Sequence, residues 1–124
     1  MELIDKKIIK RSIRAIRCVP LNSSFYQEII SRGLNAEEVF KKKDIYHSNC
    51  KKWFKSLESI ENTFRWLITI GILRREVDGQ GLTNKIRLTP LGRNIFESQP
   101  SLPNKRATFM EKIQAWASQK SLIL

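Results

Sequence analysis

Apolar positions fall into helical stripes along most of the chain and switch once to strand-like alternation. Over residues 5–17, DKKIIKRSIRAIR, one side of a helix carries Ile9, Ser12, Ile13 and Ile16, with Ile8 at its edge. Lys7, Lys10, Arg11, Arg14 and Arg17 fan across the other side, and Pro20 ends this basic amphipathic helix. Asn22, Ser23 and Ser24 form a cap cluster before FYQEIISRGL, in which Phe25, Ile29 and Ile30 face a core until Gly33 ends the helix. Asn35 caps AEEVFKKK, with Glu37 and Glu38 in the first turn and Lys41, Lys42 and Lys43 in the last, as the helix macrodipole prefers.

The most informative stretch is 56–93, SLESIENTFRWLITIGILRREVDGQGLTNKIRLTPLGR. Leu57, Ile60, Phe64, Leu67 and Ile68 make one helical stripe after a Ser56 N-cap, and Gly71 stops it. Residues 72–77 then interleave β-branched side chains with Arg74 and Arg75, DGQG supplies turn positions, and 85–88 alternates as a returning strand. Thr89-Pro90 starts another helix, with Leu91, Ile95 and Phe96 on its apolar face. Just upstream two readings stay open. Cys50 and Trp53 fit core positions of a separate helix that precedes a turn at Phe54 and Lys55, or they continue the Leu57 stripe on a single helix over 49–70. Ser56 and Ser59 favour the break.

Past a Ser- and Pro-rich linker at 98–103, Asn104 caps KRATFMEKIQAWASQK, which sets Phe109, Met110, Ile113, Trp116 and Ala117 at helical spacing. Such a helix either folds back on its own domain or pairs with a second chain across a two-fold axis. Pairing through Phe109, Met110, Ile113 and Trp116 is the expectation adopted.

A helix, then Gly-Ile-Leu, a hairpin and LTPLGR resembles the winged helix-turn-helix of bacterial transcription regulators. The matching positions are Ser56, Ser59, Ile60, Phe64, Leu67, Gly71 and Ile72, then Leu88, Thr89, Gly92 and Arg93. The resemblance implies a mainly α (α+β) fold, a winged helix with a two-stranded wing hairpin. It would comprise an N-terminal basic helix at 1–21, the winged-helix domain at 22–99, and a linker with a C-terminal dimerisation helix at 100–124. It also implies sequence-preferring binding of double-stranded DNA by a small homodimeric transcriptional regulator.

With the stripe turned inward, Glu58, Ser59, Asn62, Thr63, Trp66 and Thr69 point outward. In this motif the N-terminal half of the second helix enters the major groove, which makes Ser59, Asn62 and Thr63 candidate readers. Asn62 can pair bidentately with adenine, and Arg65 suits a flanking phosphate. On the wing, Arg74, Arg75, Lys85 and Arg87 are candidate phosphate contacts, joined on the N-terminal helix by Lys7, Lys10, Arg11 and Arg14. Ordinary solvated faces account for the same charges. Trp66 is expected beneath the N-terminal helix or at an interface.

Composition sharpens the partner more than the fold. The 124 residues carry a net charge of +11 at a pI near 10.1, which implies an anionic partner. The excess lies at 1–20, across 46–99 and in the tail, while 21–45 is balanced. No apolar run is long enough to span a membrane, and the first residues lack the core of a secretion signal, so a cytoplasmic protein is expected. Two separated cysteines and a lone His47 do not make a zinc set, and no phosphate loop or nucleophile motif occurs. No cofactor, metal or catalytic residue is expected. Two alternatives remain: a winged-helix interaction module in a larger assembly, docking through Trp66 and the C-terminal helix, and RNA binding.

Overall fold

The computed structural model describes residues 2–106 and 108–123, without the side chains at 2–5, 109 and 120–123. Its elements are α1 (Glu2–Cys18), α2 (Ser23–Ser31), α3 (Ala36–Lys41), α4 (Lys43–Tyr46), α5 (Leu57–Ile70), β1 (Leu73–Asp78), β2 (Gly81–Leu88), α6 (Pro90–Ser98) and α7 (Phe109–Ile123), with a 3-10 turn at Leu102–Asn104. The protein is mainly helical, and among the described residues β1 and β2 form a two-stranded antiparallel sheet.

Helix boundaries follow their caps. Asn22 Oδ1 accepts the Phe25 amide, Asn35 and Glu38 complete a reciprocal capping box, and Thr89 Oγ1 accepts the Gly92 amide behind Pro90. Ser56 and Ser59 cap α5 reciprocally, and Gly71 closes it at φ 102°, a left-handed conformation that suits a residue without Cβ. At α7 the cap is Thr108 and not Asn104. Thr108 Oγ1 accepts the Glu111 amide at 3.2 Å while Glu111 Oε1 accepts that of Thr108 at 3.0 Å. Asn104 instead lies in the 3-10 turn, where its side chain accepts the Ser23 amide.

Neither reading of residues 49–55 survives. The helix expected around Cys50 and Trp53 is replaced by the short α4 and an irregular segment that runs to the Ser56 cap. Backbone groups there bond across the fold and not along a helix: the Asn22 amide reaches Tyr46 O, and the Ser48 amide reaches Pro20 O. The Asn22 side chain adds bonds to Ile45 O and His47 O, and His47 shares a hydrogen bond with Lys51 O. Local helix hydrogen bonds lose to these tertiary ones.

The core forms around α5. Ile60, Phe64, Leu67 and Ile70 are buried, and Phe64 stacks on Phe25 of α2 with centroids 6.2 Å apart. Leu57 departs from the expected stripe. It is 42% exposed because it directly follows the cap, beyond the packed part of the helix. Trp66 departs in the other direction: it is 3% exposed, and its indole N–H donates to Ser118 Oγ of α7 at 2.9 Å. The helix therefore has apolar neighbours on two sides, which the single-stripe pattern did not allow for.

Gly33 does not close α2, whose C-cap is Arg32 in an extended conformation. It permits a close approach to the hairpin, since a Cβ at Gly33 would lie 2.6 Å from Glu76 Oε2 and 3.0 Å from Lys85 Cβ. Next to it, Leu34 exchanges two backbone hydrogen bonds with Ile86 of β2, at 3.3 and 2.8 Å, and adds a one-residue bridge to the sheet.

Both terminal segments pack on this body. Ala15 and Ile16 of α1 and Val19 just after it join the core, whereas Ile9 remains exposed. α7 folds back on α1 through the Arg17–Glu111 ion pair at 3.3 Å, the Arg14–Gln114 bond at 3.1 Å and Cys18 Sγ donating to Glu111 O. Lys51 Nζ donates to Val19 O and to Pro103 O, so it pins the linker to the end of α1.

Two outcomes are expected. A Cβ at Gly92 would sit 2.4 Å from Ile72 O, so Gly92→Ala should lower unfolding free energy by about 1–3 kcal/mol, measured in urea. Burial lowers the Lys51 pKa from 10.5 to about 8. Between those values the unfolded chain keeps a proton that the folded chain has released, so this group contributes stability that grows as pH rises from about 8 toward 10.5. Burial raises the Cys18 and Tyr26 values and works in the opposite sense above pH 9 and 10. The stability difference between wild type and Lys51→Met isolates the lysine, and it should shift in favour of wild type across that range.

Candidate nucleic-acid interface

The candidate contact residues divide into exposed groups and groups already engaged within the fold. On α5, Ser59 serves the helix cap, with its hydroxyl donating to Ser56 O at 2.6 Å. The same oxygen accepts the Ser56 amide at 3.2 Å, so the donor of the hydroxyl and one of its two acceptor positions are turned to the backbone. Asn62 and Thr63 are half-exposed, and Asn62 Oδ1 accepts from Arg65 Nη1 at 3.0 Å. Arg65 itself is exposed, and one turn further on Thr69 donates to Arg65 O.

The hairpin cations separate in the same way. Arg75 reaches back to Glu61 of α5 at 3.2 Å and to Asn84 O at 3.0 Å. Arg87 is more fully occupied, donating to Ile29 O, Ile30 O and Glu76. Both were expected as phosphate contacts. These bonds tie the hairpin to α5 and to the end of α2. Arg74 and Lys85 stay exposed, with no carboxylate in ion-pair range among the described residues. Strand alternation does not account for this division, since Arg74 lies opposite Arg87 and shares its face, while Arg75 lies opposite the buried Ile86.

On α1, Arg11 donates to Ile70 O at 3.2 Å and Arg14 bonds Gln114, while Lys7 and Lys10 are exposed. These four line a shallow cavity of about 390 Å3 with Ile8. Of the expected pairing face on α7, Met110, Ile113 and Trp116 are exposed, whereas the side chain of Phe109 lies outside the described residues. Trp66 is not available to a partner, because α7 of the same chain covers it.

Two further exposed cations, Lys52 and Lys55, precede the cap of α5 and were not among the expected contacts. Their signal is present in CKKWFKS, where the charges alternate with the core candidates Cys50 and Trp53. Glu61, which orients Arg75, carried no local signal because its partner is 14 residues away. A second cavity, of about 380 Å3, is lined by Asn22, Ser23, Ser24, His47, Ser48, Asn49, Cys50 and Asn104. No cluster of His, Cys, Asp and Glu among the described residues could hold a metal ion, and no described helix is long and apolar enough to cross a membrane.

The molecule is thus a strongly basic, mainly helical protein with a β-hairpin held against a central helix. Residues 2–119 match the family model described as Npun_F0494-like, and the chain belongs to that family. Neither the curated proteins nor the solved structures searched contain a match to it.

A double-mutant cycle on Arg75→Ala and Glu61→Ala tests the tie between hairpin and helix. Its coupling energy should be about 0.5–1 kcal/mol in the folded protein, as for a partly exposed ion pair.

Proposed function

We propose that this chain is a winged helix-turn-helix protein that binds double-stranded DNA with a sequence preference, as a small homodimeric transcriptional regulator. The observation that carries the reading is the Leu34–Ile86 bridge. With it, the chain runs helix α2, a short extended segment paired to the hairpin, helix α3, the one-turn α4 and an irregular segment, helix α5, then β1 and β2, an order that supports a winged helix with an insertion before its second helix. The net charge of +11 supports an anionic partner, and the charge left exposed on Arg74 and Lys85 supports phosphate contact by the hairpin.

In this reading Asn62 and Thr63 meet base edges in the major groove, and Arg65 takes a flanking phosphate. Arg74 and Lys85 hold phosphates from the wing, Lys7 and Lys10 reach the backbone from α1, and Arg75 and Arg87 set the wing's angle. Pairing of two chains uses the exposed Met110, Ile113 and Trp116 of α7. One feature favours a second reading, a winged-helix module that docks on a protein. The irregular segment at 47–56 is much longer than the ~3–4-residue turn of a helix-turn-helix.

Affinity for mixed-sequence duplex, measured by fluorescence anisotropy, should fall linearly on a log–log plot against salt. Lys85→Ala should flatten that slope by about 1, while Asn62→Ala should leave it unchanged and erase the preference found by selection from a random pool. Binding that ignores salt, or an equal preference for single-stranded RNA, counts against the reading.

A further inference from the structure

The hairpin ends in an apolar pair that nothing among the described residues covers. Val77 and Leu82 face each other in the strand register and are 62% and 75% exposed. Between them the chain turns through Gly79 and Gln80, and Gly81 at φ 119° completes a narrow tip. Asp78 Oδ1 accepts the Gln80 amide at 2.7 Å, which draws that carboxylate into the turn. A bulge between Arg75 and Val77 separates this tip from the part of the hairpin tied to α5. Two adjacent branched side chains held in water lose the hydrophobic stabilisation that burial would bring.

The size and surroundings of the pair identify its occupant. A stable protein interface needs about 800 Å2 from each partner, far more than two side chains at the tip of a hairpin supply. The pair needs a target whose affinity comes from elsewhere, and the exposed cations Arg74 and Lys85 on the same two strands attract an anionic one. A base step in duplex DNA fits both conditions, because one or two apolar side chains are enough to part stacked bases while phosphate contacts hold the complex.

We infer that Val77 and Leu82 form an apolar wedge that enters the minor groove at a flexible pyrimidine–purine step and partly unstacks it, bending the duplex. The inference rests on the DNA-binding reading above and adds to it a site of insertion and a deformation. Recognition at that step then depends on how readily the DNA deforms, so TA steps are favoured over stiff A-tracts without any hydrogen bond to a base.

The test uses the full chain with two duplexes, one of alternating TA steps carrying 2-aminopurine at a central step and one A-tract of equal length. Wild type should raise the 2-aminopurine fluorescence and shorten the end-to-end distance of the TA duplex, seen by energy transfer, and should do neither to the A-tract. Val77→Ser with Leu82→Ser should abolish both signals and keep the salt slope of binding, whereas Val77→Ile with Leu82→Met should retain them. Circular dichroism verifies that both variants are folded, as exposed positions allow. Salt-dependent binding with no unstacking, or unstacking unchanged in the serine variant, overturns the wedge and leaves DNA binding standing. Absence of salt-dependent binding to either duplex overturns both.

Discussion

Burial of α5 on two opposed sides is the constraint on which the rest of the molecule leans. Phe64 stacks against Phe25 on one side, and on another Trp66 is covered by α7 with its indole N–H bonded to Ser118. A helix enclosed in this way cannot turn about its axis without exposing one of two large aromatic rings, each worth several kcal/mol of burial. The direction of its remaining polar face is therefore set by packing. That face carries Asn62, Thr63 and Arg65, and Glu61 at its edge orients Arg75. Through that pair and the Gly71 cap, the helix fixes where the hairpin begins and at what angle it leaves.

The charge of the chain is larger than the charge its surface offers to a partner. Arg11, Arg14, Arg17, Arg75 and Arg87 all bond within the fold, several to backbone carbonyls at helix ends. A guanidinium suits this work, because its planar fork satisfies several carbonyl or carboxylate acceptors at once while its stem packs on apolar neighbours. The lysines mostly stay in water, as do Arg65 and Arg74. On α1 and the hairpin most arginines thus act as structural clamps, whereas in the segment before α5 the clamp is Lys51, with Lys52 and Lys55 left exposed.

The terminal helices belong to the same body as the middle of the chain. Lys51 bridges Val19 and Pro103, Cys50 Sγ donates to Asn104 O, and Cys18 donates to Glu111 O. Lys51 and Cys18 thus tie Pro103 and Glu111 to the end of α1, and Cys50 ties Asn104 to the segment before α5. The family model extends over residues 2–119, so the shared unit includes these terminal segments together with the central helix and hairpin.

Local chemistry in the sequence determined most of the elements. The caps at Asn22, Asn35, Ser56 and Thr89 and the stop at Gly71 depend on interactions within a few residues, and each stands where the sequence puts it, whereas the returning strand starts at Gly81 and not at Lys85. Tertiary structure decided what local pattern does not encode. The chain leaves helical structure after Tyr46, where the backbone of residues 45–48 bonds to Pro20 and Asn22. Trp66 is inside because α7 returned to cover it, and Leu57 is outside because no neighbour reaches past the cap. The charged candidates divided for the same reason. A sequence lists arginines and lysines equally, but only distant contacts, such as Glu61 with Arg75 or Ile30 O with Arg87, decide which of them remain free to meet a partner.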